Sequence, residues 1–229
     1  MQEIINKPFV WIALSILTYE IGILIQKRVK NPIANPLLIA MLLMIGILVA
    51  TGTPVETYNT GGSFISMCLS PATVVLAVPI FRQMEVLKRN LLPILAGALV
   101  GSLVSMGSVF ALCRLFGLED KLTASLLPKS ITTAIAQDVS SVLGGTPSVT
   151  VICVCLTGIL GAIALPSFLK LVRISDPVAT GIAIGTASHA VGTSRAIQLG
   201  ETEGAMSGLA IGIAGIITAV LASVIPFFG

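Results

Sequence analysis

The run Gly185-Thr186-Ala187-Ser188-His189-Ala190-Val191-Gly192-Thr193-Ser194-Arg195 sets the only histidine of the chain, several small hydroxylated residues and an arginine inside an otherwise apolar stretch. A backbone polar group left unpaired in hydrocarbon costs several kcal/mol. Such a run is therefore stable in a membrane only if it is buried in protein or lines a wet cavity. A second interruption, Ser70-Pro71-Ala72-Thr73 followed by Pro79 and Arg82, breaks the apolar segment 63–81. A third stretch, Lys121 to Gly145, holds Pro128-Lys129-Ser130, Gln137-Asp138 and Gly144-Gly145, and reads as a re-entrant or broken element.

Where a helix is interrupted, its second half presents unpaired N–H groups and the positive end of its dipole, both of which attract anions. Ser70, Thr73, Ser188, Thr193 and Ser194 could add hydroxyl donors, and Lys129 and Arg195 are the cations placed to neutralise a carboxylate. Substrate contact is expected at Ser70, Thr73, Lys129, Ser188, Thr193 and Arg195. Asp138 and His189 could carry a coupled proton, since a carboxyl out of water and an imidazole both titrate toward neutral pH. Each residue also has a plainer reading. Arg195 could reach from a helix end to the interface, Lys129 and Asp138 could pair internally, and His189 could be a packing hydrogen-bonder. Arg82 reads as an anchor at the membrane edge.

These residues need helices to hold them. Hydrophobic residues are 55% of the 229, charged residues 10%, and mean hydropathy is +1.03, against about 25% charged in soluble domains. The chain reads as an all-α polytopic membrane protein, one membrane domain over 1–229, with about 7–8 spans at roughly 20 residues each. Apolar segments run over 9–25, 36–50, 63–81, 91–116, 147–165, 177–199 and 204–228, with 56–62 as a polar loop. The net charge of +3 is spread over short clusters, which argues against nucleic acid as a partner. Cys68, Cys113, Cys153 and Cys155 fall in apolar runs and read as small packing residues. Trp11 reads as an interfacial anchor. No phosphate loop, metal-ligand spacing or nucleophile–base–orienter set can be built around one histidine, so neither an enzyme nor a cofactor or metal is expected.

The segment 44–54 aligns with 156–166 at an offset of 112, with identities at Gly46, Ile47, Leu48, Ala50 and Pro54. An offset of 113 sets Arg82 on Arg195. Residues 1–116 and 117–229 are thus expected to be two repeats, each with an interrupted helix. Placing 27–30, 82–89 and 170–173 in the cytoplasm collects eight of the thirteen Lys and Arg there. Loops 51–62 and 195–203 then fall outside, the C-terminus is cytoplasmic, and the repeats are inverted, as in secondary transporters with a midplane site.

Four blocks carry a family resemblance. They are Ser70-Pro71-Ala72-Thr73-Val74-Val75-Leu76-Ala77-Val78-Pro79, Leu127-Pro128-Lys129-Ser130-Ile131-Thr132-Thr133, Thr186 to Ala196, and Glu203-Gly204-Ala205-Met206-Ser207-Gly208-Leu209-Ala210. With them the sequence resembles the LrgB/CidB family of bacterial inner-membrane proteins; Ala134 departs from the family pattern, which has proline there. The resemblance implies a multi-pass protein of the bacterial inner membrane, in contact with lipid and homo-oligomeric. It implies one of two activities. One is an alternating-access carrier of small monocarboxylates resembling glycolate, glycerate or pyruvate, with proton coupling. The other is an antiholin-like regulator of murein hydrolase activity and autolysis, acting with a small holin-like partner of the LrgA/CidA type. The inverted repeat and a buried cation favour the carrier, since a holin-like pore needs neither.

Overall fold

The computed structural model describes residues 7–29, 34–68, 71, 74–75 and 77–224, and these are helices and their connections. In chain order they are α1 (Pro8–Val29), α2 (Pro36–Thr51), α3 (Val55–Met67), α4 (Ala77–Arg82), α5 (Met84–Arg89), α6 (Leu91–Leu115), α7 (Asp120–Leu126), α8 (Thr133–Val142), α9 (Pro147–Leu171), α10 (Pro177–Leu199) and α11 (Glu201–Val224). Among the described residues, α1, α6, α9 and α11 are long and apolar enough to cross a membrane, and α2 is a shorter apolar helix. The chain divides into two compact units, Met1–Val75 and Leu76–Gly229.

In the first unit, α1 packs on α2 and α3. Asn35 caps α2, its Oδ1 accepting from Leu37 N at 2.9 Å, with Pro36 preset for the first turn. Gly52, at φ 62°, closes the helix in the left-handed conformation that glycine adopts without penalty. Two expectations change here. Residues 56–62 are not a loop: α3 starts at Val55, behind the extended Pro54 and with Glu56 favourably placed in its first turn. Trp11 is not an interfacial anchor. It is 1% exposed, edge-on to Tyr58 at 6.0 Å, and sits over Gly61, where an added Cβ would come 2.7 Å from the Trp11 Cβ.

The second unit is organised around α10, which folds back on itself. His189 has φ 44° and ψ −141°, a non-helical conformation that separates a 177–188 half from a 190–199 half. In a straight helix Gly181 and Ile197 would lie roughly 24 Å apart. Yet both meet one short stretch of α11: Gly181 abuts Met206 and the Glu203 carbonyl, and Ile197 abuts Gly204. A Cβ at Gly192 would lie 3.0 Å from Ile184 Cγ2, eight residues back. The element is a helical hairpin with His189 at its tip. The glycines make it possible, letting the α10 backbone approach α11 at Gly181 and Gly185 and letting α6 approach α10 at Gly97 and Gly101.

Directions follow from the same contacts. Gly97 meets Ile182 and Gly101 meets Thr186, so α6 runs with the first half of α10. Gly181 and Gly185 meet successive turns of α11, so α11 does too. In contrast, α9 runs against them, since Gly158 meets His189 and Gly161 meets Ser188, while Leu165 and Leu169 pack near Ile184 and Ala196. One face of the unit therefore collects the start of α6, the end of α9, both ends of α10 and the start of α11. The opposite face collects the end of α6, the start of α9 and the end of α11. The connection 116–146 leaves and rejoins that opposite face, so α7 and α8 form a dip that does not cross, as the sequence suggested for 121–145.

The hairpin overturns part of the expected topology. Because α10 returns to the face it entered, loop 195–203 shares a face with 82–90, where Thr202 Oγ1 lies 3.5 Å from Gln83 Oε1. The end of α11 accordingly lies opposite the basic loops 82–89 and 170–173. Helices α6 and α11, which the offset of 112 pairs, run in the same sense, so inversion does not describe that pair.

Candidate functional site

Two tips enter the second unit from opposite faces. The 127–132 tip joins α7 to α8, and its Ser130 Oγ accepts a hydrogen bond from Ser105 Oγ at 2.9 Å. Ser105 lies roughly 15 Å along α6 from its end, about half of a 30 Å hydrocarbon core. His189, the other tip, lies roughly 18 Å from the start of α10. They meet near half depth. Thr186, three residues before His189, lines one crevice with Pro128, Ser130 and Ile131.

The 127–132 tip is anchored from below. Thr150 Oγ1 donates to Ser140 Oγ at 2.7 Å, and Ser125 Oγ accepts from Thr146 N at 2.7 Å. These short bonds tie α7, α8 and the start of α9 together. At the tip itself Lys129 Nζ donates to Ser130 Oγ at 3.1 Å. Ser130 thus accepts from both Lys129 and Ser105, which leaves its own O–H proton to donate.

The crevice, about 200 Å³ counting its open mouth, is lined by Ser102, Ser105, Ser130, Thr186 and Thr218 with Met106, Leu127 and Ile131 as apolar wall. It is too narrow here to admit a water molecule. Ser102, 3% exposed, has a hydroxyl with no partner. The first N–H groups of α8 have no intrahelical acceptor, and the Thr132 side chain does not cap them. Among the described residues no carboxylate lines the space.

The His189 tip differs. Its Nε2 lies 2.9 Å from the Val154 carbonyl, which can only accept, so Nε2 carries a proton. Gly158 makes that approach possible, because a Cβ there would sit 2.7 Å from the imidazole Cε1. Thr193 Oγ1 donates to the His189 carbonyl at 3.1 Å and lies 2.6 Å from Ser207 Oγ. Ser188 is fully buried between Gly161 and Gly192, its hydroxyl unpartnered.

Of the residues expected to touch substrate, Lys129 and Ser188 are brought to the meeting of the tips, as is His189, expected as a proton carrier. Thr193 faces α11 instead, and Arg195 is half-exposed toward the face with the basic loops, donating to Gln198 Oε1 at 2.6 Å on its own helix. Ser194 is exposed and bonded to the Ala190 carbonyl. Ser70 and Thr73 lie outside the described residues. Asp138 is exposed on α8 and makes no ion pair with Lys129; among the described residues the ion pair is Arg114–Asp120, at 3.0 Å. The premise of a buried Asp138 carboxyl therefore does not hold, because its helix turns that position away from the packed side.

Ser102, Ser105 and Ser130 were not singled out from sequence. Ser102 and Ser105 stand three apart on α6, one helical face, but serines among glycines in a span look like packing. Their meaning comes from Ser130, twenty-five residues beyond Ser105.

Residues 15–227 match the model of a family described as LrgB-like. The chain is similar to the antiholin-like protein LrgB of Bacillus cereus (strain B4264), 38% identical over 222 residues that cover 96% of this chain and 95% of the relative. The antiholin-like protein LrgB of Bacillus anthracis (strain CDC 684 / NRRL 3495) matches to the same extent. No solved structure matches.

Proposed function

The chain belongs to the LrgB-like family, and from that premise we propose that it is an antiholin-like protein of the bacterial inner membrane. In this reading it restrains murein hydrolase activity together with a small holin-like membrane partner of the LrgA/CidA type. The observation that carries this is the 38% identity to antiholin-like relatives along nearly the whole of both chains. Co-expression with the holin-like protein of the same cell, followed by solubilisation and co-purification, tests it alongside autolysis rates in cells lacking the chain. Association plus faster lysis in its absence is expected. No association and unchanged lysis would overturn the proposal.

A second reading, an alternating-access carrier of small monocarboxylates, is favoured by one feature: Lys129 at half depth, beside the uncapped start of α8, with no carboxylate of the described residues paired with it. A bare positive cluster is costly away from water unless an anion joins it. Entry of labelled glycolate or pyruvate into proteoliposomes under a pH gradient is the test, and absence of flux with and without the partner excludes carriage.

A further inference from the structure

We infer that the crevice between the 127–132 tip and α6 is a binding site for one small, singly charged oxyanion, held by Ser130, Ser102 and the Lys129 ammonium beside them. This deepens the carrier reading and rests on it for what the ligand is used for, though the site stands on its own chemistry.

Two observations meet in the same space, with the Lys129 ammonium beside it on Ser130. Ser130 Oγ already accepts from Lys129 and Ser105, at 3.1 and 2.9 Å, so the hydrogen bond it still has to make is a donated one. Ser102, on the facing helix, is almost wholly buried, lines the crevice and has no partner. A buried hydroxyl that leaves its bond unmade carries a desolvation cost that an arriving acceptor removes.

What completes such a set is an acceptor with several lone pairs and a negative charge. One cation calls for one charge. A carboxylate-sized oxyanion can take hydrogen bonds on two oxygens at once, which a halide cannot distribute in the same way. Met106, Leu127 and Ile131 leave an apolar wall that suits a body of very few carbons. Because the crevice admits no water as it stands, binding requires the tip to draw back from α6. Breaking the Ser105–Ser130 bond would open it.

The test uses the full chain in lipid nanodiscs, with thermal midpoint followed against acetate, nitrate and formate, acetamide as the neutral analogue, and chloride at matched ionic strength. A saturable rise with the oxyanions, and none with acetamide or chloride, is expected. Lys129→Gln should weaken the response about tenfold or more, as for loss of a charge-assisted bond, and Ser102→Ala about fivefold. Lys121→Gln, which removes an exposed lysine of α7, should leave it unchanged. If Lys129→Gln does not fold, Ser102→Ala and Ser130→Ala carry the test. No oxyanion response in the unaltered chain, or undiminished responses in the variants, overturns the site. Binding without flux in proteoliposomes would sink carriage and keep the site, whereas flux surviving Lys129→Gln would sink the site and keep carriage.

Discussion

The two tips that meet in the second unit look alike in sequence and differ in what they do with their polar groups. Both are short polar runs in apolar surroundings, and both expose the start of a half-helix. At His189 the imidazole is bonded to Val154 and the Thr193 hydroxyl to the His189 carbonyl and Ser207, so most polarity is consumed in holding the hairpin. At 127–132 the balance is reversed, because Lys129 and Ser130 supply more donors than the surrounding protein accepts. A polar island in a membrane segment is thus evidence of a ligand only after its internal bonds have been subtracted.

The contrast can be broken or sharpened by substitution, and the largest effect is expected where the hairpin seats. Gly185→Ala would drive a Cβ into the Ser207 carbonyl oxygen and to 3.0 Å from Ala210 Cβ. Backbone cannot rotate away, so α10 and α11 must part at a cost of about 3 kcal/mol. Gly107→Ala, with open space around it, should be neutral or slightly stabilising because alanine favours helix. Thermal melting of the two variants in detergent compares them directly, and equal midpoints would mean that the glycine contacts do not seat the hairpin.

At the tip itself, His189→Ala loses the bond to Val154 and keeps a side chain where φ is 44°. His189→Gly loses the same bond but relieves the backbone. The alanine variant should be the less stable by about 1 kcal/mol, contrary to the usual order in helices. Chemical denaturation can rank them, and the opposite order would show that the conformation at His189 carries no strain.

Thr193→Val and Ser102→Ala should leave opposite signatures. The first removes the hydroxyl bonded to Ser207 and to the His189 carbonyl and should cost about 1–2 kcal/mol of stability, with the anion response intact. The second removes a hydroxyl that holds nothing, so stability should stay within about 0.5 kcal/mol while the anion response weakens. Reversed outcomes would exchange the roles assigned to the two tips. The smallest effect is expected for Arg195→Gln, within about 0.5 kcal/mol in melting, since its partner lies on its own exposed helix face.

Much of this architecture was legible where local chemistry decides it. Asn35-Pro36 opens α2 and Gly52 closes it as their backbone preferences require, the break in 177–199 falls within the polar run, and 121–145 returns to the face it left. The fold-back of α10 was not legible, because a broken helix can either continue across or reverse. Contacts of Gly181, Gly192 and Gly204 with residues remote along the chain settle which. The face assigned to 195–203 failed for that reason, and with it the opposed sense of α6 and α11. Trp11 fits a membrane interface by composition, but the room made by Gly61 and the edge contact with Tyr58 bury it. At the candidate site Lys129 was recognisable as a cation in an apolar region. Ser102 was not, since a hydroxyl that lacks a partner is a property of its neighbours.

The hairpin that returns to its own face also constrains how the protein is made. An element of two half-helices, each shorter than the hydrocarbon is thick, cannot be released into lipid as an independent span during synthesis. It needs α6, α9 and α11 around it, and α11 follows it in the chain, joined through Gly200 alone. Maturation therefore waits on α11. Until α11 is laid down, α10 lacks the wall that Gly181 and Gly185 are shaped to meet, so a nascent chain halted before residue 201 would hold α6 and α9 in the bilayer with the hairpin still outside.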